Sequence, residues 1–271
     1  MIIPNKDHTE DLDKCIRSIE EKGTYKNIEY IVIENNSEKK ETFAYYEKLQ
    51  AENPKVKEVF WEREFNYSAI NNYGVGFAKG EYLLFLNNDT EIINPDCIEE
   101  LLGYCMRDDV GIVGARLYYE DDTIQHVGVI IGLGGVAGHT FVGEPKDSLG
   151  YFGRIVTAQD YSAVTAACLM TKRKVFEKVN GFEEKLAVAF NDVDFCLKVR
   201  EAGYLVVYNP YAELHHYESK SRGLEDTEEK VLRFQGEIRT FQYRWKEILN
   251  EGDPYYSPNL TLDKTDFSLR I

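Results

Sequence analysis

The first 118 residues alternate between short apolar runs and longer stretches in which apolar residues recur every three or four positions. Runs of about five apolar residues indicate buried strands, and the wider spacing indicates amphipathic helices. In the first such stretch, Leu12, Cys15 and Ile19 share one face. Strands that alternate with helices predict a parallel sheet with right-handed crossovers. The predicted elements are strands at 2–3, 28–33, 56–60, 81–86 and 110–118, and helices at 11–21, 38–50, 67–78 and 95–106.

After residue 118 the pattern is less regular. Residues 125–138 are apolar and rich in glycine, and residues 144–151 are typical of a loop. The later predicted elements are a buried strand at 162–170, helices at 175–179 and 192–202, a strand at 204–208 and a long amphipathic helix at 225–249. The chain is therefore predicted to be an α/β protein with one domain, whose first half is of the nucleotide-binding type and whose second half is irregular.

The composition is that of a globular protein and argues against a membrane-spanning or secreted one. Hydrophobic residues make up 43% and aromatic residues 13% of the chain, which is enough for a large core. No apolar run approaches the roughly 20 residues that span a bilayer, and no secretory signal pattern follows Met1. The five cysteines are odd in number and lack paired metal-binding spacing, so we expect reduced, mostly buried thiols in a cytoplasmic protein.

The net charge is −15, from 47 acidic and 32 basic residues. A general nucleic-acid-binding protein needs a basic surface, so the charge argues against this class. The overall field also repels a phosphate ligand. A site for one would need local compensation from a helix N-terminus, a few cations or a divalent metal.

The first strand has only three residues before Pro4, which is below the usual strand length of about five. We therefore expect upstream sequence to be missing, and the chain to be a piece of a longer protein.

The strand predicted at 81–86 ends abruptly in Asn87, Asn88 and Asp89. One interpretation is a turn, because Asn and Asp bond their own backbone in tight turns. The other is a ligand site, because open α/β sheets bind ligands beyond the carboxyl ends of their strands. In that position Asp89 could hold Mg²⁺ or Mn²⁺, which prefer oxygen ligands and bridge to substrate phosphates.

A second acidic group opens the helix predicted at 192–202. Asn191 could be its N-cap, with Asp192 and Asp194 favoured by the helix dipole. Alternatively, one of the two carboxylates is a general base. Residues two apart on a helix point in different directions, so only one of them can easily face a given site.

Two adjacent histidines, His215 and His216, follow the last predicted strand and precede a basic segment. A neutral imidazole could add a nitrogen ligand to a metal held by Asp89. Lys220 and Arg222 could contact phosphate oxygens. The alternative interpretation is an ordinary surface loop.

Gly132, Gly134 and Ala137 satisfy the G-x-G-x-x-A form of the dinucleotide-binding fingerprint. The fingerprint belongs between a first strand and a helix, whereas this match lies deep in the chain and no helical pattern follows it. We expect these glycines to form a tight or mobile wall instead.

Five segments in a fixed order resemble the glycosyltransferase family 2 enzymes: IIPNKD, IVIENNS, NNYGVGFAKGEYLLFLNND, NDVDFCLKVREAGY and HHYESKSRG. The resemblance covers about residues 2–223 and extends to bacterial rhamnosyltransferase-like enzymes of polysaccharide biosynthesis. Such enzymes transfer a sugar from a nucleotide-diphosphate donor to an acceptor hydroxyl, usually with inversion.

The resemblance implies the GT-A fold, a Rossmann-like, mostly parallel central sheet flanked by helices. Residues 1–223 would form the glycosyltransferase domain, with a nucleotide-sugar-binding half at 1–118 and an acceptor and catalytic half at 119–223. The helix and tail at 224–271 would pack on the same domain. The implied cofactor is Mn²⁺ or Mg²⁺. The implied partners are a UDP- or dTDP-linked sugar and a saccharide or lipid-linked acceptor. The implied location is the cytoplasm, with the inner face of the membrane as a place of peripheral contact.

The resemblance also implies residue roles. Asp89 matches the metal-binding end of the family's D-x-D motif, and Asp192 matches the catalytic base. His216 matches a histidine that completes the metal or diphosphate site, with His215 as the alternative. The implied nucleotide-sugar contacts are Pro4, Asn5, Asp7, Glu34, Asn35, Asn71, Asn72, Asn87 and Asn88, and the diphosphate candidates are Lys220 and Arg222. By position and polarity, the acceptor candidates are Asn191, Gln125, His126, His139 and Tyr161.

Two other functions fit part of the pattern. Amides at Asn87, Asn88 and Asn191, where the family often has acids, fit a non-catalytic relative that binds nucleotide or sugar. A nucleotidyltransferase shares the alternating first half, but residues 4–9 lack the glycine-rich basic loop expected of it.

Overall fold

The computed structural model describes residues 1–217 and 227–270. The diphosphate candidates Lys220 and Arg222 lie outside the described residues. The strands are β1 (Ile2–Asn5), β2 (Tyr30–Glu34), β3 (Val56–Phe60), β4 (Tyr82–Leu86), β5 (Thr90–Ile92), β6 (Val110–Tyr118), β7 (Ile124–His126), β8 (Val129–Ile131), β9 (Ala137–His139), β10 (Gln159–Asp160), β11 (Cys168–Lys172) and β12 (Leu205–His216). The helices are α1 (Thr9–Lys22), α2 (Lys40–Glu52), α3 (Tyr67–Val75), α4 (Cys97–Cys105), α5 (Arg173–Lys178), α6 (Asn191–Glu201), α7 (Glu228–Arg244) and α8 (Lys246–Glu251).

Ten strands form one sheet, whose main path is β10-β12-β6-β11-β4-β1-β2-β3. Strand β1 is parallel to β2 and β4, β2 is parallel to β3, and β12 is parallel to β6. Strand β11 lies antiparallel between β4 and β6, and β10 is antiparallel to β12. Apart from β10 and β11, all strands of this path therefore run in one direction. The predicted α/β class with a mostly parallel sheet is confirmed.

The core lies on both faces of this sheet because alternate strand residues face opposite ways. In β1, Ile2 packs with Ile70 of α3 on one face, and Ile3 packs with Leu12 of α1 on the other. All five cysteines are free and buried, as expected for reduced thiols. No helix within the described ranges is long and apolar enough to cross a bilayer.

The strand predicted at 204–208 is wrong at its carboxyl end, because β12 continues to His216. Both adjacent histidines therefore lie within the sheet and not after it. The pairing of β12 with β6 shifts register between Asn209 and Glu213, and Pro210 lies in that irregularity. Pro210 interrupts the apolar pattern on which the prediction was based, but it does not end the strand.

The strand predicted at 162–170 is also displaced, to β11 at Cys168–Lys172. Residues 162–167 are small and mostly apolar but lie outside the ladders of this sheet, and the Ala167 carbonyl accepts a hydrogen bond from Asn87 N at 3.0 Å. Strand β5 was not predicted, because its three residues are too few to show a period.

Three details of the helices differ from the prediction. The helix predicted at 225–249 is two helices, α7 and α8, which meet at Trp245. Helix α3 ends at Val75. The N-cap of α6 is Phe190 rather than Asn191, because Phe190 takes the left-handed conformation (φ 61°) and Asn191 is the first helical residue. The glycine-rich segment around Gly132 forms the turn between β8 and β9.

Candidate active site

Polar side chains at the carboxyl ends of β1, β2 and β4 form one buried network. Asn88 follows β4 and donates from Nδ2 to Asn5 Oδ1 at 2.6 Å. Asn5 ends β1 and donates from Nδ2 to the Tyr46 hydroxyl at 2.7 Å. Tyr46 in turn donates to Glu34 Oε2, at the end of β2, at 2.7 Å. The ends of three parallel strands are thus fixed to one another, which suits a rigid ligand-binding edge.

Two further predicted nucleotide contacts hold the loops that border this edge. Asp7 accepts hydrogen bonds from Lys39 N at 2.9 Å and Thr42 Oγ1 at 3.0 Å, and so caps the start of α2. Asn35 donates from Nδ2 to the Trp61 carbonyl at 3.2 Å. Nucleotide contact stays a prediction for Pro4, Asn5, Asp7, Glu34, Asn35, Asn71, Asn72, Asn87 and Asn88.

Asp89 and His216 are brought together by β5 and β12. The two strands are antiparallel and pair His216 with Thr90, and Tyr217 N donates to the Asp89 carbonyl at 2.9 Å. His216 Nε2 lies 3.3 Å from Asp89 Oδ1. Asp89 is 6% and His216 8% exposed, so the pair is nearly buried where these strands meet the sheet edge.

Asp89 presents one oxygen atom towards His216 without a hydrogen bond to it. No described group donates a hydrogen bond of good geometry to its buried Oδ1 atom.

Gln125, in β7, sets the orientation of the His216 ring. Gln125 Oε1 lies 2.7 Å from His216 Nδ1, and Gln125 Nε2 donates to the His216 carbonyl at 3.2 Å. An amide oxygen only accepts, so Nδ1 carries the proton, and in the uncharged ring Nε2 is an acceptor. Asn87 Nδ2 lies 3.1 Å from that Nε2. A cation bound between Nε2 and the free oxygen of Asp89 would replace this contact with Asn87.

This arrangement fits a divalent cation. Carboxylate oxygens and imidazole nitrogens are common metal ligands. A metal-binding histidine is commonly oriented by a hydrogen bond from its other ring nitrogen, as Gln125 orients His216 here. Within residues 1–217 and 227–270, no three His, Cys, Asp or Glu side chains are grouped to hold a metal, so these described residues offer two such ligands here. One or two protein ligands are usual where substrate phosphates complete the coordination of Mg²⁺ or Mn²⁺.

His215 faces the other side of β12, because successive strand residues point in opposite directions. Its Nε2 lies 2.9 Å from Asp122 Oδ1. Of the two adjacent histidines, His216 is the one beside Asp89.

Asp192 approaches the same region from the start of α6. Its Oδ2 accepts a hydrogen bond from Ala166 N at 3.1 Å, and the Ala166 carbonyl accepts one from the Tyr67 hydroxyl at 3.0 Å. The same hydroxyl lies 3.5 Å from Asn87 Oδ1. Burial, and then the negative charges of Asp192 and Asp89, raise the pKa of Tyr67. Tyr67 is therefore connected to the predicted base through Ala166 and lies beside Asn87, two residues before the predicted metal ligand.

Asp194 faces away from this tyrosine, in agreement with the predicted divergence of the two acids. It accepts a hydrogen bond from Trp245 Nε1 at 2.9 Å and lies 3.3 Å from Arg244 Nη1. Asp194 is fully buried and Asp192 is half-buried. Asp192 is thus the acid of this pair that faces the sheet edge.

The acceptor candidates His126 and His139 form one cluster beside His216. His126 is fully buried, its Nε2 accepts a hydrogen bond from Thr165 N at 3.3 Å, and its ring centroid lies 4.7 Å from that of His139. Burial holds the pKa of His126 well below its ordinary value, so its ring is neutral. Gln125 belongs to this cluster through His216.

The other acceptor candidates lie in packed surroundings. Tyr161 is fully buried and its ring packs edge-on against Tyr208, with 6.1 Å between centroids. Asn191 is buried and donates to the Val188 carbonyl at 3.0 Å. Acceptor contact stays a prediction for Asn191, Gln125, His126, His139 and Tyr161.

Sequence reasoning missed Tyr67 as a site residue. A local signal marks the start of its helix, because the Asn66 side chain accepts from Ala69 N at 3.0 Å as an N-cap. Nothing local reveals the contact of Tyr67 with Ala166, which depends on how the second half of the chain crosses the sheet end.

The comparison with known proteins agrees with this architecture. The family described as Glycosyl transferase family 2 matches residues 1–179. The chain is 47% identical over 270 residues to an uncharacterised protein of Sinorhizobium fredii, with 99% of this chain and 30% of that protein covered. It is 37% identical over 272 residues to the O-antigen biosynthesis protein RfbC of Myxococcus xanthus, with 100% of this chain and 21% of that protein covered. The chain thus spans less than a third of the length of either relative.

The fold resembles that of a mannosyltransferase from Pyrobaculum calidifontis, solved in complex with GDP-Man and Mn²⁺. The TM-score is 0.63 at 15% identity, over 92% of this chain and 67% of that one. Likeness at this identity shows the fold, and the predicted GT-A fold is confirmed by it. Together, the family match over most of the chain and the glycosyltransferase fold confirm the assignment made from the sequence motifs: the chain belongs to glycosyltransferase family 2 and is a glycosyltransferase.

Proposed function

We propose that this chain transfers a sugar from a nucleotide-diphosphate sugar to an acceptor hydroxyl, with inversion and with a divalent metal, in bacterial surface polysaccharide synthesis. The observation that carries the proposal is the Asp89–His216 pair, 3.3 Å apart and nearly buried, with Asp192 connected to the neighbouring Tyr67 through the main chain of Ala166. The polysaccharide role draws on the name of the Myxococcus relative, of which this chain covers 21%.

Asp192 is the proposed general base. A sugar hydroxyl is a poor nucleophile at neutral pH, and a positioned carboxylate that takes its proton contributes about 10²–10⁴ in rate. The half-buried carboxylate accepts hydrogen bonds from Ala166 N and Val193 N, which orient it without neutralising it. A single base on the acceptor side favours direct displacement, and hence inversion.

Asp89 and His216 are the proposed ligands of Mn²⁺ or Mg²⁺. When bound, the cation would supply positive charge for the diphosphate leaving group. This role also suits a chain of net charge −15, since local compensation is needed for a diphosphate to bind. The amides of Asn87 and Asn88 are proposed to line the same donor side.

The first test is a thermal-shift screen of UDP, dTDP, GDP and CDP, each with and without Mn²⁺. We expect one nucleotide to stabilise the protein only when Mn²⁺ is present, which would also identify the base of the donor. Asp89→Ala should abolish the metal-dependent part of the shift. A shift that is equal with and without Mn²⁺ would contradict the proposed metal site.

The second test addresses the base. Asp192→Asn keeps the size of the side chain and should leave the Mn²⁺-dependent nucleotide shift intact, while transfer or donor hydrolysis falls by at least about 100-fold. Near-normal turnover by Asp192→Asn would remove it from this role. A nucleotide shift without turnover of any donor by the unmodified protein would instead favour a non-catalytic, nucleotide-binding relative.

A further inference from the structure

Helix α7 lies beyond the segment matched by the family and carries a buried acid that the site itself does not use. Glu237 is 3% exposed. Its Oε1 accepts a hydrogen bond from Val188 N at 2.8 Å, and its Oε2 accepts one from Ala189 N at 3.3 Å. Buried carboxylates are rare unless they are paired or fully hydrogen-bonded, so this contact is a specific feature of the fold.

The segment that Glu237 holds leads directly to Asp192. On its other side, the Leu186 carbonyl accepts from Ser68 Oγ at 2.7 Å, and the Ala187 carbonyl accepts from Tyr67 N at 2.7 Å. Residues 186–189 are therefore held between α3, which carries Tyr67, and α7.

Phe190 completes this connection. Its φ of 61° is unusual for a residue with a side chain and requires support from its surroundings. The Phe190 ring packs against two rings of α7, with centroids 5.8 Å from Phe234 and 5.4 Å from Phe241. This left-handed residue turns the chain into α6, whose second residue is Asp192.

The end of α7 also fixes α6 from beyond Asp192. Asp194 accepts from Trp245 Nε1 at 2.9 Å, and Arg244 Nη1 lies 3.1 Å from Glu183 Oε2 as well as 3.3 Å from Asp194 Oδ1. Asp192 is thus flanked on both sides by main-chain and side-chain contacts with the C-terminal helices.

From these contacts we infer that Glu237 is a positioning residue, which sets the place of the Asp192 carboxylate through the amides of Val188 and Ala189. This inference rests on the proposed role of Asp192 as the base. A base acts only within hydrogen-bond reach of the proton that it takes, and a misplacement of about 1 Å can reduce the rate by about 100-fold. The donor side, at Asp89 and His216, is held by β5 and β12 and does not depend on α7.

The test compares Glu237→Ala with Glu229→Ala, which removes an exposed carboxylate from the same helix and changes the charge equally. Glu237→Gln keeps one acceptor oxygen and serves as the milder variant should Glu237→Ala fold poorly. The substrates are UDP-glucose, dTDP-L-rhamnose and GDP-mannose with Mn²⁺, with release of nucleoside diphosphate as the readout. We expect kcat to fall about 10- to 100-fold in Glu237→Ala, less in Glu237→Gln and not in Glu229→Ala, with KM for the donor unchanged.

A double-mutant cycle separates positioning from general stability. If Glu237 acts through Asp192, then Glu237→Ala should have little further effect on kcat in the Asp192→Asn background. An equal additional loss in that background would overturn the inference. Normal turnover by Glu237→Ala combined with strong loss in Asp192→Asn would also overturn it, while the proposed function would stand. Normal turnover by Asp192→Asn itself would overturn the proposed base and this inference together.

Hydrogen exchange tests the same inference without turnover. Peptides spanning 186–193 should exchange about tenfold faster in Glu237→Ala than in Glu229→Ala, and peptides spanning 82–92 should be unchanged. Unchanged exchange at 186–193 would show that Glu237 does not hold this segment, whatever the activity of the variants.

Discussion

Replacement of Gln125 by leucine is expected to weaken metal binding although Gln125 would not touch the metal. In the folded chain, Gln125 Oε1 lies 2.7 Å from His216 Nδ1 and keeps the proton on that nitrogen. Gln125→Leu has a similar volume but no acceptor. The buried Nδ1–H then lacks a partner, and the ring is free to move its proton to Nε2, the atom that faces Asp89.

The size of the effect follows from two separate losses. Removing a partner that orients a ligating histidine typically reduces metal affinity by about 10- to 100-fold, which is about 1.4 to 2.7 kcal/mol. Leaving the imidazole N–H buried and unpaired lowers the free energy of unfolding by about 1 to 3 kcal/mol. Gln125→Glu keeps an acceptor for Nδ1, so its metal affinity should stay near that of the unmodified protein.

The assay is a titration with Mn²⁺, followed by the electron paramagnetic resonance signal of the free ion, at a saturating concentration of the nucleoside diphosphate that binds. Gln235→Leu, an exposed change on α7, is the control. An unchanged Mn²⁺ affinity in a folded Gln125→Leu protein would refute the reasoning. The variant His216→Ala then shows which assumption is wrong. If His216→Ala loses Mn²⁺ affinity, His216 binds the metal but Gln125 does not orient it. If His216→Ala keeps its Mn²⁺ affinity, His216 is not a metal ligand.

Further predictions concern stability. Burial acts to raise the pKa of Glu91, but hydrogen bonds from Lys22, Lys14 and Tyr217 lower it to about 2 from its ordinary value of 4.5. The contribution of Glu91 to the free energy of unfolding is therefore complete above pH 4.5 and is lost as the pH falls towards 2. Glu91→Gln should therefore lower the free energy of unfolding by about 1 to 2 kcal/mol at pH 7, and urea titrations at pH 7, 5 and 3 should show the difference shrinking; a constant difference would contradict this. Gly74→Ala should cost about 1 to 3 kcal/mol, since its Cβ would lie 2.7 Å from Ile33 Cδ1. Gly103→Ala in α4 has no atom within 4 Å of its Cβ and should stabilise by up to about 1 kcal/mol; thermal unfolding that gives both glycine changes the same sign would contradict the packing argument.

The first half of the fold could be predicted because its signals are local. Each parallel strand there is a short apolar run, and each helix has its own amphipathic period, so the order of elements follows from the chain alone. Strand β12 shows the limit of this approach. It continues past Pro210 because β6 pairs with it on both sides of the irregularity and β5 pairs with it beyond, and that information lies elsewhere in the chain.

The candidate site was predictable as a set of residues but not as an arrangement. The sequence indicated that only one of Asp192 and Asp194 can face a site, and could not say which. Trp245 and Arg244, which lie far along the chain, bind the Asp194 carboxylate and so leave Asp192 as the acid that faces the site. In the same way, the motifs offered both His215 and His216, and the register of β12 on β5 decides between them.

This dependence on distant elements bears on how family membership should be used for this chain. The match to the family ends at residue 179 and so includes Asp89 but neither Asp192 nor His216. Asp89 and His216 nonetheless face each other through a backbone ladder, since His216 pairs with Thr90 and Tyr217 N bonds the Asp89 carbonyl. A main-chain ladder tolerates changes in the surrounding side chains, whereas the place of Asp192 depends on particular side chains of α7. We therefore expect the donor side of this site to withstand substitution better than the acceptor side, and sequence divergence among relatives to alter the acceptor chemistry first.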